Sequence, residues 1–263
     1  MYATNYKKAS NVAEAVKAIA GADEGKVLAG GMTLLPTLKQ RLASSDCLVD
    51  LSGCGISGIT DEGSALRIGA MTRHVEVETS DIVAKAIPAL AHLAGGIGDR
   101  QVRNRGTIGG SVANNDPAAC YPSAVLALGG TVHTSKRNLA AEDYFVDMFE
   151  TALDEDEIIE AVTLPKPEAA AYVKFPNPAS RYAMVGVFVA RFADGVRVAV
   201  TGAGQNGVFR HKGLEEALSA NFSADAVDGV SVSSDELMSD IHASADYRAH
   251  LIGEMTRRAV SAC

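Results

Sequence analysis

Two glycine-rich segments constrain this chain more than any other feature. The first reads Val27-Leu28-Ala29-Gly30-Gly31-Met32-Thr33-Leu34-Leu35-Pro36, and the second Gly106-Thr107-Ile108-Gly109-Gly110-Ser111-Val112-Ala113-Asn114-Asn115-Asp116-Pro117. Each sets a Gly-Gly pair beside a hydroxyl residue. Glycine admits positive φ and lets a backbone approach a ligand closely. Successive bare N–H groups then form a concavity for an anion, with the hydroxyl as a further donor. Two such segments in one chain imply two strips of backbone on one diphosphate, which points to a dinucleotide.

Composition narrows the alternatives. The chain has 263 residues, 47% of them hydrophobic, and a net charge of −8, which is enough for two domains with sizeable cores. An acidic chain lacks the basic stripe that nucleic acid requires, so no nucleic-acid partner is expected; Asp99–Arg105 is only a local basic patch. No apolar run is long enough to span a bilayer. The first residues show no signal-peptide core, so a cytoplasmic protein is expected. Cys47, Cys54, Cys120 and Cys263 form no CxxC pair. They read as free thiols in a reducing compartment, not as ligands of an iron–sulfur cluster or zinc. The histidines show no close metal spacing, His242 and His250 lying eight apart.

Helix and strand signals alternate along the chain. Ser10 caps a helix over residues 11–20. A short buried strand over 27–29 leads into the first glycine segment and a helix to about Leu42, with Pro36 in its first turn. Residues 47–51 complete a small βαβ-like unit. A second unit starts near Leu66–Ala70. Helices follow at 73–79, 81–86 and 88–95, then the second glycine segment, a helix over 121–128, a strand over 130–134 and an amphipathic stretch over 141–152. A further strand covers 158–164. Pro165, Pro167, Pro176 and Pro178 mark a domain boundary. Beyond it, 182–192 and 196–201 read as a hairpin closed by Asp194-Gly195, and helices dominate to the end, the last over 246–260.

Several motifs are dismissed. The first segment has no Gly-Lys-Ser/Thr, which argues against a kinase or ATPase. Gly202-Ala203-Gly204-Gln205-Asn206-Gly207 fits GxGxxG, but no helix opens on it, so a Rossmann site is not expected. Asp154–Glu157 reads as a solvated acidic turn. No nucleophile elbow, zinc motif or cysteine–histidine pair is evident, so any chemistry rests with a cofactor.

The segments AGGMTLLP and TIGGSVANNDPAA, the lead-in IGDRQVRNRG, the strand Ile158–Pro165, Ser180-Arg181-Tyr182-Ala183 and the helix at Tyr247–Leu251 together resemble the FAD-binding medium subunit of molybdenum hydroxylases, such as aerobic carbon monoxide dehydrogenase and xanthine dehydrogenase. The resemblance spans the whole chain. It implies an α+β fold: residues 1–165 as a two-part FAD-binding domain of the vanillyl-alcohol-oxidase (PCMH) type, with subdomains of about 1–54 and 55–165, and 166–263 as a small sheet with a helical bundle. FAD would lie extended between the parts. The diphosphate would meet backbone N–H groups of Ala29, Gly30, Gly31, Met32 and Thr33 and of Thr107, Ile108, Gly109, Gly110 and Ser111, with Asn114 close by. Ile97 and Gly98 would sit near the cofactor, Ile159 and Lys174 at positions that contact it in relatives, and Tyr182 by the flavin ring. Cys120 stands where the family motif usually carries an aspartate that hydrogen-bonds FAD, which implies a weakened contact, since a thiol is a weak donor and poor acceptor. Met32 replaces a polar residue of some relatives.

The resemblance also implies a division of labour. Substrate is oxidised on a large molybdenum-cofactor subunit, a small subunit carries [2Fe–2S] clusters, and electrons pass to FAD on this chain and leave to an external acceptor. A dimer of heterotrimers, cytoplasmic or held at the inner face of the membrane through the complex, is the expected assembly. Two other readings stay open at this stage: a self-contained flavin oxidase acting on a small organic substrate, and a non-enzymatic nucleotide-binding scaffold.

Overall fold

The computed structural model describes residues 1–263 as a mixture of helices and three principal sheets. Strand β1 (Asn5–Lys8), helix α1 (Val12–Ala20), β2 (Gly25–Leu28), α2 (Leu34–Lys39) and β3 (Cys47–Asp50) build the first layer. Its three strands are all parallel, in the order β1-β3-β2. Ala15 and Ile19 of α1 meet Val49 and Leu51 in a small core. The cap of α1 is Asn11, which accepts from the Glu14 N–H at 2.9 Å, and not Ser10. Ser10 instead donates its N–H and hydroxyl to the Glu14 carboxylate. Helix α2 stops at Lys39, short of Leu42, because Arg41 turns left-handed at φ 59°.

The second layer is antiparallel. It comprises β4 (Ile59–Asp61) and β5 (Ala65–Gly69), then α3 (His74–Glu78), α4 (Asp81–Ala86), α5 (Pro88–Gly95), α6 (Arg100–Arg103), α7 (Ile108–Asn114) and α8 (Tyr121–Ala127). Next come β6 (Thr131–Thr134), β7 (Asn138–Ala140), α9 (Ala141–Tyr144), the small hairpin β8 (Phe145–Asp147) with β9 (Glu150–Thr151), and β10 (Ile159–Pro165). The sheet order is β4-β5-β10-β6-β7. Its central strand β10 is buried at Ile159, Ala161, Val162 and Leu164, against α7 and α8. The stretch 141–152 is not one amphipathic helix. It breaks after one turn, because Asn115 binds the backbone of the β8–β9 hairpin and tertiary hydrogen bonds override local periodicity.

The third layer is an antiparallel meander of β11 (Ala169–Pro176), β12 (Ala183–Phe192), β13 (Gly195–Gly204) and β14 (Gly207–Arg210), followed by α10 (Lys212–Ala220), a 3₁₀ turn at Ala224–Val227 and α11 (Ala245–Ala262). Its strands alternate between two buried faces. Tyr172, Phe188, Ala190 and Ala199 join the core of the second layer, while Val185, Val187, Val189, Val198 and Val200 pack on α10 and α11. Strand β14 is absent from the sequence reading. The GxGxxG segment is its turn, with Gly204 paired to Gly207, so no helix opens there. No helix is long and apolar enough to cross a membrane.

The acidic run departs from its reading as a solvated turn. Asp154 and Asp156 do face solvent and pair with Lys136. Glu157 is buried. It accepts from Thr134 Oγ1, Arg137 and the Asp154 N–H. Burial would raise its carboxyl, but these hydrogen bonds outweigh it and hold the group down to about 2.

Candidate cofactor site

The first glycine segment lies between β2 and α2. None of the N–H groups of Ala29, Gly30, Gly31, Met32 and Thr33 has an acceptor within the chain. Five consecutive donors are therefore available to a ligand. Gly31 adopts φ 73°, which an L side chain resists. Gly30 touches the approach to the second segment so closely that a Cβ there would lie 2.1 Å from Arg105 O. A Cβ on Gly110 would come within 3.5 Å of Ala29 Cβ. The tertiary fold thus brings the two segments together.

The second segment is not a loop. Thr107 is the N-cap of α7, its Oγ1 accepting from the Gly110 N–H at 3.1 Å. Ile108 N–H donates to Thr72 O, Gly109 N–H to Ala70 O, and Ser111 N–H to Thr107 O. Of the five N–H groups expected to meet a diphosphate here, only that of Thr107 is left without an acceptor. The hydroxyl of Ser111 and the side-chain amide of Asn114 are likewise uncommitted and half-buried. Gly110 is helical rather than at positive φ, and its constraint is the 2.9 Å that a Cβ would leave to Thr107 Oγ1.

A second cluster forms where the third layer meets the second. Lys174 Nζ donates to Gly96 O at 2.6 Å and Arg181 O at 2.8 Å, and stands 3.6 Å from Cys120 Sγ. Gly98, at φ 51°, accepts through its carbonyl from Arg103 Nη1 and Arg181 Nη1. Arg103 also binds Ile97 O and pairs with Glu78 at 2.7 Å. Tyr182 is half-exposed. Burial, then the charges of Asp116 and Cys120, push its hydroxyl up. Burial also raises Asp116. Ile159 lies apart from these polar groups, inside the core on β10.

Three contributors escaped the sequence. His74 is buried against Gly106 and beside Tyr121, with ring centroids 5.3 Å apart. Burial, aided by the charge of Arg103, lowers it to about 4, so it is neutral near pH 7. Asn115 and Arg181 adopt left-handed φ values of 41° and 62°. An asparagine directly after a helix was the available signal for the first. Nothing local announced Arg181.

A pattern of known proteins described as the FAD binding domain in molybdopterin dehydrogenase matches residues 2–167. The chain belongs to this family. Relatives of this FAD-binding chain include the nicotine 6-hydroxylase medium subunit of Paenarthrobacter nicotinovorans, 33% identical over 98% of this chain and 96% of that one. The carbon monoxide dehydrogenase medium chain of Hydrogenophaga pseudoflava is 32% identical over the same shares. The solved carbon monoxide dehydrogenase of Hydrogenophaga pseudoflava that lacks the Mo-pyranopterin moiety superposes with a TM-score of 0.91, at 31% identity, over 99% of this chain and 96% of the matched one. FAD is accordingly the dinucleotide of this FAD-binding chain. The row of free N–H donors has the chemistry its diphosphate requires.

Proposed function

We propose that this chain is the FAD-binding, electron-transferring subunit of a multi-subunit molybdenum hydroxylase, receiving electrons from the [2Fe–2S] clusters of a small subunit and delivering them to an external acceptor. The observation that carries the reading is the uninterrupted strip of free N–H donors from Ala29 to Thr33, held against the N-cap of α7 in a chain of this family. We assign the diphosphate to that strip, to the Thr107 N–H and to the Ser111 hydroxyl. Ile97, Gly98, Cys120, Lys174 and Tyr182 are assigned to the flavin end. Ile108 and Gly109 serve as packing that fixes α7, and Ile159 as core behind it. FAD, when bound, supplies the two-electron redox chemistry. The chain's residues hold it, exclude water and keep His74 neutral behind the second segment.

The finer organisation follows the same reading. Residues 1–165 form a PCMH-type FAD-binding unit of two parts and 166–263 the C-terminal unit. Substrate is oxidised on a large molybdenum subunit in a dimer of heterotrimers. Four free cysteines suit the reducing cytoplasm.

The test is a visible spectrum of the purified chain before and after adding FAD and desalting, followed by anaerobic addition of the reduced small subunit. Retained flavin bands that bleach only with that subunit support the reading. Bleaching by a small organic substrate with the isolated chain would favour a self-contained oxidase. Absence of flavin uptake, alone and in the complex, would leave a scaffold.

A further inference from the structure

The β8–β9 hairpin ends in a projecting apolar tip. Val146, Met148 and Phe149 are 54%, 37% and 57% exposed. Phe149 holds φ 58°, a conformation that a bulky aromatic residue adopts only when its surroundings impose it. Asn115 imposes it. Asn115 O accepts from the Phe149 N–H at 3.0 Å, and Asn115 Nδ2 donates to Asp147 O at 2.8 Å and Glu150 O at 2.9 Å. Asn115 is itself buried and left-handed, and it directly follows α7, the helix of the second glycine segment. A large apolar side chain is thus rigidly presented to solvent from the element that frames the cofactor site. With burial, the charge of the next residue, Asp116, helps push the Tyr182 hydroxyl up.

We propose that this tip anchors the iron–sulfur subunit beside the cofactor, an inference that rests on the function assigned above. A preorganised aromatic anchor forfeits little entropy on binding. Electron transfer falls steeply with distance, so the donor must dock next to the flavin end of the site. Charge disfavours a second copy and favours a basic-edged partner. Asp143, Asp147 and Glu150 rim the tip on the solvent side without a cationic partner, whereas Glu142 is taken by Arg210. A second copy of this chain, net charge −8, would bring more negative charge to that rim. The surface calls for an apolar pocket edged with lysine or arginine, and association through it weakens as salt rises.

The experiment is co-expression of the complex with a tag on this chain, comparing the unaltered protein, Phe149→Asn and the control Ile241→Ser, the latter at a 95% exposed site elsewhere. Asparagine tolerates φ 58° better than phenylalanine, so Phe149→Asn keeps the hairpin while removing the anchor. The expected result is unchanged FAD content, a melting temperature no lower than that of the unaltered chain, and at least tenfold less iron–sulfur subunit recovered, with the control unaffected. Equal recovery with Phe149→Asn overturns the docking surface while leaving the functional reading intact. Loss of FAD along with the subunit overturns it too, because the residue would then be structural. If the unaltered flavin-loaded chain recovers no iron–sulfur subunit, the functional reading itself fails.

Discussion

Lys174 Nζ donates to Gly96 O at 2.6 Å, and this bond ties β11 of the third layer to the end of α5 in the second. The same ammonium holds Arg181 O, which fixes the strained turn leading to Tyr182. Lys174→Met retains the aliphatic stem but leaves both carbonyls without this donor. A loss of about 1–3 kcal/mol in stability is expected from the unmade bonds. Flavin retention should fall with it, as read by urea unfolding and flavin content after desalting. A variant that holds flavin as well as the parent would remove Lys174 from the site.

Cys120 lies 3.6 Å from the same ammonium with only a thiol to offer. Cys120→Asp would place a carboxylate there, and charge-assisted hydrogen bonds are roughly twice as strong as neutral ones. Tighter FAD binding by about tenfold is expected, or roughly 1.4 kcal/mol. Fluorescence titration of the cofactor-free chain measures it, and unchanged or weaker affinity would contradict the assignment.

Gly30 and Gly110 are constrained by the meeting of the two segments. Gly30→Ala drives a Cβ into Arg105 O, a backbone atom that cannot swing aside. Gly110→Val crowds Thr107 Oγ1 and endangers the α7 cap, worth about 1 kcal/mol. Both variants should lose bound flavin, with Gly30→Ala also destabilised by about 1–3 kcal/mol. Full flavin occupancy in Gly110→Val would displace the diphosphate from this junction.

Glu157 sets a pH dependence. Its carboxyl is held at about 2 in the fold against an ordinary value of 4.5. The folded state therefore gains stability from the ionised form above about pH 4.5, and loses it as pH falls from there toward 2. The contribution is roughly 3 kcal/mol when complete. Glu157→Gln should flatten this part of the stability curve in urea melts at about pH 3 and pH 7. A variant whose acid sensitivity matches the parent's would refute the assignment.

Arg248 stitches α11 to the third sheet. It is buried, with Nη1 donating to Met184 O and Gly202 O at 2.6 Å and Nη2 pairing with Asp240 at 2.8 Å. Arg248→Met should cost about 1–3 kcal/mol, because two carbonyls lose their donor, while the half-exposed Asp240 carboxylate regains water. A thermal melt within a degree or two of the parent would show these contacts to be incidental.

Much of the local structure follows from the sequence because local physics decides it. Period-3.6 apolar spacing and Pro at the helix start mark α5, and Asp194-Gly195 marks the β12–β13 turn. The Gly30-Gly31 pair announces a tight backbone junction, since only glycine allows the φ of Gly31 and the closeness of Gly30 to Arg105. What the sequence could not decide was how each donor is used. That the N–H groups of 108–111 are spent on Thr72, Ala70 and Thr107, while those of Ala29–Thr33 stay free, depends on which strand α7 packs against. The burial of Glu157 in an acidic run, the break at 141–152 and the left-handed Phe149 arise likewise from partners distant in the chain, Arg137 and Asn115. Propensity acts over a few neighbouring residues; burial and long-range hydrogen bonds are worth more than it, and only the tertiary structure assigns them.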